Sequence, residues 1–191
     1  EGSFPRWSAD LDMVSFTKEV DDQFEVFVMD PGGGDPVCLT CNEQALEGCG
    51  HRGQSFWHPS GQYLAFTAEN AEYPRAGNGT SARPGLGRNH NVWIMTSDGQ
   101  SFWRITDYPE NWGAIEARFF HDGTMLTWNE EYMMEKYPNG KAGDPVPHPG
   151  CYWSGKNLLF RKGEELCTWR VKYADIAFGA DGPTISNVRT I

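Results

Sequence analysis

Cys38, Cys41, Cys49 and His51 fall within 14 residues of one another, and thiols with an imidazole support two chemistries. Four such groups can surround a zinc ion tetrahedrally. The same thiols can instead be oxidised. A disulfide is the expected state, with Cys41 and Cys49 the favoured pair because both lie in one loop and Cys38 ends a strand. Haem attachment is excluded, since Asn42 stands where that motif needs a histidine. Cys151 and Cys167 flank a hairpin-like stretch and form a second candidate disulfide. With 5 Cys in the chain, two bridges leave one free thiol. That pattern suits an oxidising compartment.

Other reactive residues lie in two long polar segments. Glu69 to His90 carries Tyr73, Arg75, Arg83, Arg88 and His90 in an otherwise acidic protein. Arginine there suits bidentate recognition of a carboxylate or another anion; local pairing to glutamates is the plain alternative. Asn78-Gly79-Thr80 within it is a glycosylation sequon. Asn129 to Glu165 carries Tyr132, Met133, Met134 and Trp153, side chains suited to packing on a partner or folding back over their own sheet. Trp112 joins the candidates from a third loop.

Catalytic signatures are missing from the sequence. It holds no Gly-x-Ser-x-Gly elbow, no P-loop and no His-Glu-x-x-His helix. Of the 5 His, His58 and His121 sit in equivalent turns, where donation to a neighbouring backbone carbonyl is expected. His51, His90 and His148 lie in loops, and a metal-assisted hydrolase or lyase would have to gather them. No catalytic residue and no cofactor is assigned.

The elements that position these residues come from an internal repeat. The windows Phe4–Thr17, Ser55–Thr67 and Arg118–Trp128 align without gaps. In each an aromatic (Trp7, Trp57, Phe119) precedes a polar turn, and a second aromatic (Phe16, Phe66, Trp128) follows nine positions later. Pro59-Ser60-Gly61 and His121-Asp122-Gly123 supply turns in which glycine takes positive φ. Ala9-Asp10-Leu11-Asp12 lacks the glycine, so its turn differs in detail. Glu25–Asp30 matches Asn91–Thr96 and, more weakly, Arg170–Asp175, each followed by a glycine-containing turn. Each unit therefore reads as four antiparallel strands, one propeller blade. The two long segments fall between the second and third strands of blades two and three.

"Trp-His-Pro-Ser-Gly-Gln-Tyr-Leu-Ala-Phe-Thr" from Trp57, followed by "Asn-Val-Trp-Ile-Met-Thr-Ser-Asp-Gly" from Asn91, resembles the WD-like repeat of TolB-like β-propellers. The resemblance covers nearly the whole chain outside the two long segments. It implies an all-β fold of three four-stranded antiparallel blades, about 4–41, 54–107 and 115–191, roughly half of a six- or seven-bladed ring. It fits a periplasmic or extracellular setting and leaves the function open; with no catalytic signature in the sequence, the expected role is a non-enzymatic protein-binding or scaffolding module. The alternative it leaves open is a propeller enzyme, or the accessory propeller of a hydrolase or lyase acting on saccharide or peptide. Half a ring leaves blade faces open, so a protein partner or further blades are expected to cover them.

Composition fits this reading. The 191 residues hold 22 Gly, 12 Pro and 14% aromatics, favouring short strands and turns. A net charge of −10 argues against a nucleic-acid partner, which requires clustered Lys and Arg. No apolar run has the length of a membrane span.

Overall fold

A computed structural model describes residues 2–8, 10–41, 43–72, 87, 89–110, 112–134 and 166–191, with the side chains of 133, 134 and 166–168 outside that description. The described residues form three four-stranded antiparallel sheets. The first holds β1 (Gly2–Ser8), β2 (Met13–Val20), β3 (Gln23–Met29) and β4 (Val37–Cys38). The second holds β5 (Arg52–Trp57), β6 (Tyr63–Glu69), β7 (His90–Thr96) and β8 (Phe102–Arg104). The third holds β9 (Gly113–Phe119), β10 (Met125–Met134), β11 (Leu166–Gly179) and β12 (Gly182–Thr190). Each is a simple meander in sequence order, so each is one blade.

Strand alternation gives every blade two flanks, one for each neighbour. Leu64, Phe66, Trp93 and Met95 of blade two pack on Val26, Val28 and Leu39 of blade one. Ala65, Val92 and Ile94, on the opposite flank, pack on Leu126, Trp128 and Ala174 of blade three. Each fully buried side chain of this kind contributes about 1.5–3 kcal/mol. The repeated aromatic thus seals the joint with the preceding blade.

The first strand of every blade carries the same irregularity. Phe4, Gln54 and Glu116 lie three residues before the repeated aromatic and have φ of 55°, 53° and 55°. Each marks a break in pairing with the second strand, a β-bulge. A left-handed backbone at a non-glycine residue is strained and must be held from outside. The neighbouring blade holds it: Gln54 N–H donates to Thr17 Oγ1 at 3.1 Å, and Glu116 N–H donates to Gln54 Oε1 at 3.1 Å.

The turns between first and second strands follow the sequence reading. Gly61 and Gly123 have φ of 70° and 73°. Blade one meets the need one position later, at Asp12 with φ 50°, a residue type that tolerates this region. The second long segment differs from expectation. Residues from Asn129 to Met134 continue β10, and Leu166 to Val171 pair with them; Asn129 to Glu131 also pair with β9, and beyond Glu131 the two strands β10 and β11 run on as a two-stranded arm.

Candidate functional site

Two polar centres lie on the face carrying the loops between second and third strands and the crossings from blade to blade. The first is a cleft of about 610 Å³ between the Asp21-Asp22 turn and the crossing from β4 to β5. Val20 pairs with Gln23, leaving a two-residue turn in which Asp21 and Asp22 have φ of 49° and 63°. That is the mirror-image turn that matches strand twist. The crossing folds through one short 3-10 turn, Gln44–Leu46, pinned by fully buried Leu46.

Arg52 organises the cleft floor. Its guanidinium pairs with Glu25 and donates Nη2–H to the carbonyls of Leu46 at 3.0 Å and Cys49 at 2.8 Å. The other Glu25 oxygen accepts from the Thr40 hydroxyl, which accepts in turn from Val26 N–H at 2.9 Å. Burial raises the Glu25 pKa, against the lowering influence of Thr40 and Arg52. Blade two repeats the device with neutral groups: Val92 N–H donates to Thr106 Oγ1, and that hydroxyl donates to Asn91 Oδ1. Around this neutralised floor the cleft is lined by Asp21, Glu43 and Glu47, so its field is acidic.

The second centre is on blade three. Glu130 is buried and pairs with Arg170, its cross-strand partner, while Lys172 Nζ lies 3.9 Å away. Tyr108 donates to Glu130 at 3.0 Å and accepts from the Trp128 indole at 2.7 Å. Burial and the adjacent Glu130 push the Tyr108 hydroxyl well above the ordinary phenol range. Arg170 lies over the rings of Tyr132 and Trp112 at 4.3 and 5.8 Å.

The cysteine chemistry departs from expectation. Cys38 and Cys41 form the disulfide, with Cα atoms 5.7 Å apart, and Cys49 is free. The tight turn after β4 brings these two within bridging range. Cys49 instead points into the apolar joint beside Leu46 and Phe66, so the expected Cys41–Cys49 bridge is corrected. Burial raises the Cys49 thiol pKa. The zinc alternative of Cys38, Cys41, Cys49 and His51 is not assembled either. Among the described residues the metal-type atoms within 4.8 Å of one another belong to Glu25, Cys38 and Cys41, and both sulfurs are bonded to each other. His51 is buried, and its Nδ1 accepts from Phe24 N–H at 3.2 Å.

The remaining sequence candidates divide clearly. Trp112 and Tyr132 meet, with ring centroids 5.8 Å apart. His90 opens β7 and is 1% exposed, so it lies within the blade rather than on the loop surface. Cys167 lies in β11 opposite Met133, with its side chain outside the described set. Tyr73, Arg75, Arg83, Arg88, His148, Cys151 and Trp153 lie outside the described residues. Sequence reasoning missed Glu25, Arg52, Tyr108, Glu130 and Arg170. The available signal was a lone charge inside an apolar strand, as at Glu25 before Val26-Phe27-Val28, since such a charge is kept only with a partner.

Four-stranded meanders joined flank to flank, with bulged first strands and polar clefts on one face, define a segment of a β-propeller. Its fold is that of the TolB-like propellers. The chain is similar over 100% of its length to a TolB of Agrobacterium tumefaciens, with TM-score 0.58 and 19% identity, covering 48% of that protein. It also matches TolB of Acinetobacter baumannii, with TM-score 0.47, 17% identity and 40% of that chain covered. Acylaminoacyl peptidase of Pyrococcus horikoshii matches over 99% of this chain and 24% of the peptidase, with TM-score 0.51 and 12% identity. The chain thus spans less than half the length of these proteins. No family model and no curated protein matches the sequence.

Proposed function

We propose that this chain is a non-enzymatic, exported propeller segment that binds protein, taking a Lys- or Arg-bearing segment of its partner in the cleft between the Asp21-Asp22 turn and the Glu43–Glu47 crossing. The observation that carries this reading is the cleft itself: about 610 Å³, open on the loop face, lined by acidic side chains over a floor where Arg52 already spends its charge on Glu25. An acidic concavity attracts a cationic segment and accelerates its docking. The polar groups best suited to chemistry are engaged in holding strands together. Glu130 serves Arg170 and Tyr108, and the His58 ring serves Ser60 and Gly123. The Cys38–Cys41 disulfide supports an oxidising compartment. No helix among the described residues is long and apolar enough to cross a membrane.

The test is binding of an array of short peptides of graded charge. Lys- and Arg-rich peptides should bind, weaken with added salt, and be lost in Glu43→Lys/Glu47→Lys. Equal binding of acidic peptides, or conversion of any peptide by the purified chain, overturns the reading.

A further inference from the structure

Reduction of the disulfide would leave two thiols beside the buried carboxylate of Glu25, and the fold itself brings the three together. Phe27 pairs with Cys38 across β3 and β4. Glu25 lies two residues before Phe27 on β3, so it shares a sheet face with Cys38. Thr40 then comes level with Glu25, and its hydroxyl holds the carboxylate. The turn after β4 carries Cys41 back, so that its N–H donates to Cys38 Sγ at 3.1 Å and the two Cα atoms are 5.7 Å apart. Among the described residues, the ligating atoms of Glu25, Cys38 and Cys41 lie within 4.8 Å of one another. Cys41 also lines the acidic cleft, so the disulfide is open to a reductant from that side.

We propose that the reduced chain holds a thiophilic divalent cation of the zinc class at Cys38, Cys41 and Glu25, and that disulfide and metal are alternative states of one site. The reductant is a dithiol. It gives two electrons and two protons to the Cys38–Cys41 bond; the S–S bond breaks, two thiols form, and the dithiol leaves as its own disulfide. The cation then displaces both thiol protons to water, and two metal–thiolate bonds form. Two thiolates and a carboxylate are donors that zinc accepts, and the two-residue gap between the cysteines is that of structural zinc sites.

Charge and surrounding hydrogen bonds favour the site. Two thiolates and one carboxylate carry three negative charges. The cation supplies two positive charges, and the Arg52 guanidinium on Glu25 supplies the third. The assembly is therefore neutral, which offsets the penalty for taking its charges out of water. Thr40 and Arg52 fix the Glu25 carboxylate, as the outer partners of a metal-bound carboxylate do. Glu25 and Cys41 both line the cleft, so water from it completes the four ligands that zinc takes. Asp21, Glu43 and Glu47 along the rim draw cations toward it. The proposal concerns the reduced chain, whereas peptide capture is tested with the disulfide closed, so either can fail alone.

Cobalt and zinc titrations of the whole chain test it. Protein reduced with dithiothreitol, then freed of it under argon, should bind one Co2+ per chain with the near-ultraviolet absorption of cobalt–thiolate bonds, and zinc should displace the cobalt. Zinc should also raise the urea midpoint of the reduced chain and leave that of the oxidised chain unchanged, because only the folded, reduced site binds. Cys38→Ser and Cys41→Ser should each lose stoichiometric binding. Glu25→Gln should weaken zinc binding at least about 10-fold, since loss of an outer partner alone costs about 10–100-fold. Cys49→Ala should bind as the wild type does, because Cys49 belongs to the apolar joint. A reduced wild type that binds no metal overturns the proposal. So does equal binding by the oxidised chain, which places the cation on the carboxylates of the rim. A urea midpoint lowered by zinc, the mark of thiols chelating in the unfolded chain, overturns it as well, as does loss of binding in Cys49→Ala with unchanged circular dichroism.

Discussion

His58 of blade two reaches across to Gly123 of blade three, with Nε2 3.2 Å from the glycine carbonyl. Its Nδ1 accepts from Ser60 N–H at 3.1 Å, so the proton of the neutral ring sits on Nε2 and is donated to Gly123. The ring also stands edge-on to Phe119 and Phe178 at 4.8 and 4.9 Å. One imidazole therefore ties two turns and an aromatic cluster together. Gly123 has no side-chain substitute, because a Cβ there would strike the imidazole.

This arrangement makes the joint acid-sensitive. Burial lowers the His58 pKa below its usual 6.5, against the raising influence of Gly123. The unfolded chain then binds the proton more readily than the folded one, so stability is complete above about pH 6.5 and falls as the pH drops through that value. Urea midpoints at pH 7.5 and 5.5 should differ more for the wild type than for His58→Gln. Equal pH dependence in the two proteins would sink the assignment.

Arg52 is the most connected charge in the first centre. Arg52→Ala strands Glu25 in a buried site and frees the carbonyls of Leu46 and Cys49. Breaking a buried pair from one side costs about 3–5 kcal/mol. Glu25→Gln combined with Arg52→Met should recover part of that loss, since no bare charge remains. Urea unfolding of the three proteins checks both expectations.

Tyr108 both accepts and donates in the second centre. Tyr108→Phe leaves the Trp128 indole N–H and a Glu130 oxygen short of a partner each, at a cost of about 1–3 kcal/mol per group. Thermal unfolding should show the loss, and Trp128 fluorescence should shift as its hydrogen bond disappears.

A non-reduced peptide map should find the peptide holding Cys38 and Cys41 two hydrogens lighter than its reduced form. Cys49 should resist iodoacetamide in the folded protein and react once urea exposes it, because burial both shields the thiol and disfavours the thiolate. Rapid native labelling of Cys49 would contradict its burial, and a Cys41–Cys49 link would contradict the disulfide described here. The same map tests whether Cys151 pairs with Cys167.

Blade architecture was readable because it is local and repeated. The aromatic nine positions ahead of its partner, the glycine turns and the alternating strands each act within one hairpin, and three copies reinforce one another. The Arg52–Glu25 pair was not readable, because its members are 27 residues apart and meet only when two blades join. The cysteine pairing failed for a similar reason. Nearness in the loop favoured Cys41 with Cys49, but the joint between blades claims Cys49 for its apolar core. The β10–β11 arm was missed because its strands read as the start and end of an insertion until they are seen in register.

The sequence by itself determined which residues become strands, where they turn and which flank each side chain takes, because period-two alternation and turn chemistry operate over a few residues. Tertiary structure alone decided which charges are neutralised, which thiol is hidden, and which face of the wheel segment holds a cleft. Those outcomes depend on distances between blades, and such distances are set by the packing of whole sheets rather than by any neighbouring residue.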